Sequence, residues 1–164
     1  MKHIMGNKST SNLTNVQEGD SQPNAVDLRL DKVYSISNEV FEISNTHKKH
    51  RKTTVVQPDD EGYYNLEVGH YEITMENIVT IGENEAGMVI TRSSLNRNGC
   101  FLTYGLFDSG YSGLIAGMLH VNCGPIRIQK GTRIGQFLCF DSESLQLYTG
   151  DYGLEKSFDK ARYS

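Results

Sequence analysis

Apolar and polar residues alternate in short runs along most of the chain. The run from Ala25 to Leu30 places Val26, Leu28 and Leu30 on one side and charged residues on the other, which is typical of a strand with one wet face. Similar runs recur, and turns rich in glycine separate them. Further strands are predicted at Val33–Ile36, Val40–Ile43, Thr54–Val56, Tyr64–Met75, Ile78–Ile81, Gly87–Thr91, Cys100–Tyr104, Leu114–Asn122, Pro125–Gln129 and Ile134–Asp141.

A helical pattern is almost absent from the chain. The one helix predicted is short, from Ser93 to Arg97, and Asn98-Gly99 supplies its stop signal. Many short strands separated by turns are typical of an all-β sandwich or barrel.

Composition divides the chain into three parts. Residues 1–22 are polar and are expected to form a flexible N-terminal arm, in which a short ordered stretch at Asn12–Val16 is the alternative. Residues 23–144 form the β domain, and residues 145–164 form a polar C-terminal arm. The start of the chain lacks the apolar stretch of a signal peptide. The apolar runs are also far shorter than the ~20 residues that span a bilayer, so no membrane partner is expected.

Charge and cysteine content narrow the class of function. The chain has 16 Lys and Arg against 20 Asp and Glu, a net charge of -4. Proteins that bind nucleic acid by counterion release usually carry a basic face, so no nucleic-acid partner is expected. The three cysteines, Cys100, Cys123 and Cys139, are odd in number and form no CxxC pair. They are interpreted as free thiols in a reducing compartment, which predicts a cytoplasmic protein.

The segment 91–99 brings charge and small hydroxyls together at the start of the predicted helix. It carries two guanidinium groups, Arg92 and Arg97, and two hydroxyls, Ser93 and Ser94. Hydroxyls, backbone N–H groups and the positive end of a helix dipole suit a phosphate chain. A serine that caps a surface turn explains the same residues structurally, and the segment alone does not decide between the two.

Two later segments add candidates for catalysis and binding. Asp108 precedes a tight turn, where a partly desolvated carboxylate can orient and deprotonate a water molecule. The same aspartate could simply cap its own turn. Tyr111 offers a flat face to a sugar or a base. Gln136 stands on a strand that follows the turn at Lys130-Gly131, and its amide can donate to a phosphate oxygen.

Taken in order, these segments resemble the dCTP deaminase and dUTPase superfamily. Arg-Ser-Ser-Leu at 92–95, followed by Arg97 and Gly99, carries the resemblance, as does Asp-Ser-Gly-Tyr-Ser-Gly at 108–113. Supporting matches are Val-Asp-Leu-Arg-Leu at 26–30, Gly-Thr-Arg-Ile-Gly-Gln at 131–136 and Tyr-Thr-Gly-Asp-Tyr at 148–152. The resemblance implies a distorted β-barrel or jelly roll that assembles as a homotrimer with active sites between subunits.

The resemblance also implies roles for individual residues. The substrate would be a deoxynucleoside triphosphate, with a pyrimidine base favoured, and Mg²⁺ would clamp its phosphates. One aspartate would activate the water that attacks the α-phosphate. The residues are Arg92, Ser93, Ser94, Arg97 and Gln136 for the phosphates, Asp27 for the metal through water, Asp108 for the water, and Tyr111, Leu102 and Tyr104 for sugar and base.

The residues expected to read the base depart from both branches. The deaminase branch has a proton-shuttling glutamate where this chain has Met118 or Leu119, and His120 nearby is the alternative acid or base. The stretch 114–122 also carries an extra residue, which predicts a β-bulge near Gly117. The dUTPase branch has an asparagine at the position of Leu102 and a glycine-rich C-terminal lid, and this chain has neither.

Three functions therefore stay open. The first is a dUTPase-type pyrophosphatase, which converts dUTP or a related deoxynucleotide to the monophosphate and pyrophosphate. The second is a dCTP deaminase, and the third is a non-catalytic relative that binds a nucleotide or a protein as a regulator. Asp108 separates them, because only a hydrolase loses its base when Asp108 is exchanged for alanine.

Overall fold

The computed structural model describes residues 1–164 and contains mainly strands, with two short helices. The predicted helix is confirmed, with the same bounds. No helix has the length and hydrophobicity needed to cross a membrane. The elements are β1 Asn12–Leu13, β2 Val26–Ile36, β3 Glu42–Ile43, β4 Lys48–Lys49, β5 Thr53–Val56, β6 Tyr63–Leu66, β7 Gly69–Thr80, β8 Glu85–Thr91, α1 Ser93–Arg97, β9 Cys100–Thr103, β10 Ser112–Val121, β11 Ile126–Gln129, β12 Arg133–Asp141 and α2 Ser157–Tyr163.

The main sheet is antiparallel, has the strand order β8-β12-β2-β7-β10-β9, and curls into a distorted, nearly closed barrel. Its two edges, β8 and β9, meet: the backbone N–H of Leu102 donates to Oγ1 of Thr91 at 2.9 Å. Beyond β9, Gly87 and Phe107 exchange two backbone hydrogen bonds of 2.9 Å. These contacts pair groups that an open sheet would leave exposed, and the predicted all-β barrel is confirmed.

The alternation in β2 is only partly obeyed. Val26, Leu28 and Leu30 are fully buried in the core, as the pattern predicts. Asp27, which the pattern assigns to the wet face, is fully buried as well. Side chains of the neighbouring strands enclose it, and they form the first half of the candidate site.

The N-terminal segment, residues 1–22, differs from the flexible arm that its composition predicts. β1 pairs with β7, and Ile4 and Leu13 are buried in the core. Polar groups of the segment converge on the buried carboxylate of Glu85, which accepts hydrogen bonds from the backbone N–H of Thr10 and from Nζ of Lys2. The polar composition of residues 1–22 therefore does not indicate disorder, because their polar groups bind Glu85, which is distant in the sequence.

The C-terminal arm, residues 145–164, also folds onto the barrel. It ends in α2, which the sequence does not predict, because seven residues are too few to show a helical repeat. Arg162 of this helix forms an ion pair with Glu72 on β7. The arm therefore covers part of the outer surface of the sheet.

The β-bulge predicted near Gly117 of β10 is not found there, and the irregularity lies in β7, opposite Ile115. The register between β10 and β7 shifts between Leu114 and Ala116, which pair with Ile78 and Thr74. The extra residues belong to β7, since the stretch from Met75 to Asn77 faces Ile115 alone. Gly117 has another role: a Cβ there would lie 2.5 Å from the ring of Tyr104, so glycine allows that ring to pack on the strand.

Candidate active site

The first half of the site is centred on Asp27. Gln136 on β12 lies directly opposite Asp27 on β2, and its Nε2 donates to Oδ1 of Asp27 at 3.0 Å. The other oxygen, Oδ2, faces Arg92 Nε at 3.3 Å and Arg133 Nη1 at 3.4 Å. We call Asp27, Arg92, Arg133 and Gln136 the phosphate cluster.

The two guanidinium groups of the cluster stay accessible while Asp27 is sealed. The side chains of Arg92 and Arg133 are 32% and 34% exposed, against 0% for Asp27. Arg92 also donates to the carbonyl of Arg133 at 3.1 Å, and Arg133 donates to the carbonyl of Gly19 at 2.8 Å. A buried carboxylate thus holds two cations at the surface, where planar guanidinium groups recognise phosphate well.

Arg133 is a member of this cluster to which the sequence assigns no role. It stands three residues before Gln136 on β12, within the segment that resembles the superfamily. The signal was present, but only the ladder between β12 and β2 shows that Arg133 reaches Asp27.

The helix α1 follows the cluster directly, because Arg92 is its N-cap residue. Ser93, Ser94 and Arg97 are exposed, and their side chains make no hydrogen bond or ion pair in the protomer. Leu95 packs against the core and anchors the helix. Three polar side chains expected at the phosphates are therefore free to contact a ligand.

The second half of the site is the turn from Asp108 to Tyr111, which we call the Asp108 turn. The N–H of Tyr111 donates to the carbonyl of Asp108 at 3.0 Å, and Gly110 has φ +84°, a left-handed conformation that favours glycine. Two backbone hydrogen bonds attach the turn to Ile81. The N–H of Gly110 donates to the carbonyl of Ile81 at 3.0 Å, and the N–H of Ile81 donates to the carbonyl of Tyr111 at 2.8 Å. The Asp108 carboxylate is exposed on this rigid support and has no side-chain partner.

Tyr111 is less accessible than its expected sugar contact requires. It is 8% exposed, and its hydroxyl donates to the carbonyl of Leu114 at 2.8 Å. Its ring meets Phe107 and Tyr148 edge to face, with centroids 5.5 and 5.4 Å apart. Tyr148 belongs to the C-terminal arm, so this arm covers one side of the ring.

The protomer does not bring the two halves together. Phe107, next to Asp108, pairs with Gly87 near the start of β8, whereas Arg92 follows the end of the same strand. Arg92 stands five positions after Gly87 along extended chain, about 16 Å away at the usual rise of a strand. Asp108 and Arg92 of the same protomer are therefore too far apart for their side chains to meet.

The residues expected near the base are placed differently. Leu102 is buried in the hydrophobic core of the protomer, and contact between its side chain and a base stays a prediction. The hydroxyl of Tyr104 is buried without a partner, and burial raises the pKa of Tyr104. His120 is engaged elsewhere: its Nδ1 lies 2.8 Å from Nδ1 of His70 and its Nε2 lies 2.8 Å from Oγ1 of Thr103.

Asp27 does not fit a Mg²⁺ ligand in this arrangement. Its side chain is fully buried, and both oxygens face cationic or amide groups from Arg92, Arg133 and Gln136. No cluster of three or more histidine, cysteine or acidic side chains is placed to hold a metal ion. Contact between Asp27 and a metal through water stays a prediction.

Comparison with known proteins agrees with this architecture. The family model described as dCTP deaminase-like matches residues 2–142. A deoxyuridine 5'-triphosphate nucleotidohydrolase of Methanocaldococcus jannaschii is 30% identical over 152 residues, 91% of this chain and 97% of the relative. A dUMP-forming dCTP deaminase of Parafrankia sp. is 33% identical over 130 residues, 75% of this chain and 64% of the relative.

A solved structure shows the same fold. The 2'-deoxycytidine 5'-triphosphate deaminase of Agrobacterium tumefaciens superimposes with a TM-score of 0.60 at 18% identity, covering 80% of this chain and 42% of that chain. Because the family model spans most of the sequence and the fold agrees, the chain belongs to the dCTP deaminase-like family.

Proposed function

We propose that the protein is a deoxynucleoside triphosphate pyrophosphatase of the dUTPase type. The phosphate cluster is the observation that carries this proposal, because two surface guanidinium groups on a buried carboxylate match a polyphosphate chain. The relative from M. jannaschii, named for hydrolysis of deoxyuridine triphosphate, supports the choice of substrate class.

The proposed site forms between protomers. Arg92 and Asp108 lie at opposite ends of β8, so a complete site needs the cluster of one copy and the Asp108 turn of another. A closed, symmetric homotrimer would supply such pairs three times. The exposed hydroxyls of Ser93 and Ser94 and the guanidinium of Arg97 then add donors to the phosphates.

The reaction divides into binding and proton transfer. Arg92, Arg133 and Gln136 hold the phosphates and neutralise the charge that develops on them. Asp108 takes a proton from a water molecule while the oxygen of that water forms a bond to the α-phosphorus. The bond between the α-phosphorus and the oxygen that bridges to the β-phosphorus then breaks, which releases pyrophosphate. The substrate is the magnesium complex of the triphosphate. We also propose a cytoplasmic location, where the three free cysteines stay reduced.

The deaminase alternative is supported by the Parafrankia relative, which is named a dCTP deaminase, and by the description of the matching family model. Met118 is half-buried and Leu119 is fully buried, and neither side chain transfers a proton. We therefore rank pyrophosphate release as the proposed activity and deamination as the alternative.

The test is a turnover screen over dUTP, dCTP, dTTP, dATP and dGTP with Mg²⁺, in which chromatography separates monophosphate from deaminated triphosphate. Asp108→Ala is expected to lower turnover by about 10²–10⁴-fold, the usual contribution of a general base. Asp60→Ala, which removes another exposed aspartate without an ion pair, serves as the control. Deamination without pyrophosphate would support the alternative, and binding without turnover would indicate a regulator.

A further inference from the structure

A cavity lies between the barrel and the C-terminal arm. Its volume is about 490 Å³, within the range of small-molecule sites. It shares Tyr111 with the Asp108 turn and is open to solvent on one side. Its walls are mostly aromatic and aliphatic, and its charged groups are Glu72, Asp159 and Arg162, with His50 at the side.

Two of these charged groups satisfy each other. Nε of Arg162 donates to both oxygens of Glu72, at 2.9 and 3.1 Å, and Nη2 donates to Oε2 at 2.5 Å. The hydroxyl of Tyr163 donates to Oε1 at 2.6 Å. Glu72 therefore has few acceptor positions left for a ligand.

Asp159 differs from Glu72, because one of its oxygens has no partner. Oδ2 accepts a hydrogen bond from the N–H of Gly153 at 2.9 Å, whereas Oδ1 is buried with no donor in reach. The residue is 7% exposed, and burial raises the pKa of Asp159. A buried acceptor without a donor is costly, so a ligand that brings a donor gains what the free protein lacks.

We propose that this cavity is the base pocket and that Asp159 selects a base whose ring nitrogen carries a proton, as N3 of uracil does. This inference rests on the proposed function. Tyr111 belongs to both the Asp108 turn and the cavity, so a nucleotide that Asp108 hydrolyses would place its base in the cavity. A ring N–H donates to Oδ1, while the lone pair on N3 of cytosine meets a second acceptor and is rejected. The aromatic walls stack on the ring, so the C-terminal arm contributes the specificity-determining side chain.

Asp159→Asn tests the selection. The N–H of Gly153 requires an oxygen, so the asparagine amide oxygen takes the place of Oδ2, and its nitrogen stands where Oδ1 stands. An acceptor thereby becomes a donor, and the ratio of kcat/KM for dUTP over dCTP is expected to fall about tenfold or more. Glu155→Gln is the matched control, since Glu155 is an exposed acid on the same arm that pairs with Lys160. An unchanged ratio in Asp159→Asn overturns the inference.

The inference and the proposed function fail in different ways. If the wild type releases no pyrophosphate, the function fails, and calorimetric Kd values for dUTP and dCTP still test the pocket. Inorganic tripolyphosphate, which has no base, should bind the wild type and Asp159→Asn equally, which shows that the variant is folded. If the variant does not fold, the wild type itself decides: it should bind N3-methyl-dUTP at least about tenfold more weakly than dUTP, and equal binding overturns the inference.

Discussion

Gln136 lies directly opposite Asp27 on the neighbouring strand and donates from Nε2 to Oδ1 of that buried carboxylate, 3.0 Å away. Arg92 and Arg133 face the second oxygen. One fully buried acid therefore positions three side chains that we assign to the phosphates. Its role in the protomer is to hold these groups, which differs from the metal contact that the resemblance implies.

Asp27→Asn is expected to destabilise the fold. The substitution keeps the shape and removes the charge, so Arg92 and Arg133 lose their shared counter-ion and repel each other. We expect the free energy of unfolding to fall by about 2 kcal/mol, less than for a fully buried pair because both arginines are partly exposed. Urea denaturation of this variant beside Asp60→Asn measures the loss, and equal midpoints would refute the structural role of Asp27.

Glu85 gives the N-terminal segment a pH-dependent attachment. Burial acts to raise the pKa of Glu85, but hydrogen bonds from Ser11, Thr10, Lys2 and Ser9 outweigh it and hold that pKa well below its usual range. A depressed carboxyl pKa contributes stability above the unfolded value, about 4.3, and this stability is lost as the pH falls below it.

Glu85→Gln should therefore release residues 1–22 at neutral pH. We expect faster amide hydrogen exchange in this segment, with the barrel strands unchanged, because the amide replaces a charged acceptor of several donors. The difference from the wild type should begin to shrink below about pH 4, where Glu85 takes up a proton in the released state, and should vanish only when the pH falls below its depressed pKa in the folded state. Equal exchange at pH 7 would show that the segment is held by Ile4 and Leu13 alone.

Met118→Glu places a carboxylate directly opposite Glu72, since the two positions pair in the ladder between β10 and β7. Like charges on opposite positions are destabilising, so we expect the free energy of unfolding at pH 7 to fall by about 1 kcal/mol relative to Met118→Gln. The difference in the free energy of unfolding between the two variants should disappear at a pH at which either Glu72 or the introduced glutamate is protonated. A stable Met118→Glu protein would mean that Arg162 accommodates both acids.

The sequence predicted those parts of the fold that depend on local pattern. Strands with alternating apolar residues and the helix from Ser93 to Arg97 were found, because side-chain period and the positive φ of Gly99 (+73°) act within a few residues. The N-terminal segment was missed because Ser9 and Ser11 find their acceptor, Glu85, more than 70 residues away.

The sequence motifs named the residues of the candidate site, and only the family resemblance implied that they meet between subunits. Arg92, Gln136 and Asp108 follow from motifs, but the distance between Arg92 and Asp108 depends on which strands pair. Arg133 lies within the segment 131–136 that carries the resemblance, but its contact with Asp27, like that of Asp159 with Gly153, is settled only by the folded chain.

The central claim is that Arg92 of one protomer and Asp108 of another form a single site. Co-expression of Arg92→Ala with Asp108→Ala, followed by purification of mixed assemblies, tests it through pyrophosphate release. Each variant alone should be inactive, and random mixing in a cyclic homotrimer should restore about one quarter of the wild-type activity, because a site then needs one intact residue from each of two copies. Mixed assemblies as inactive as the single variants would contradict the claim.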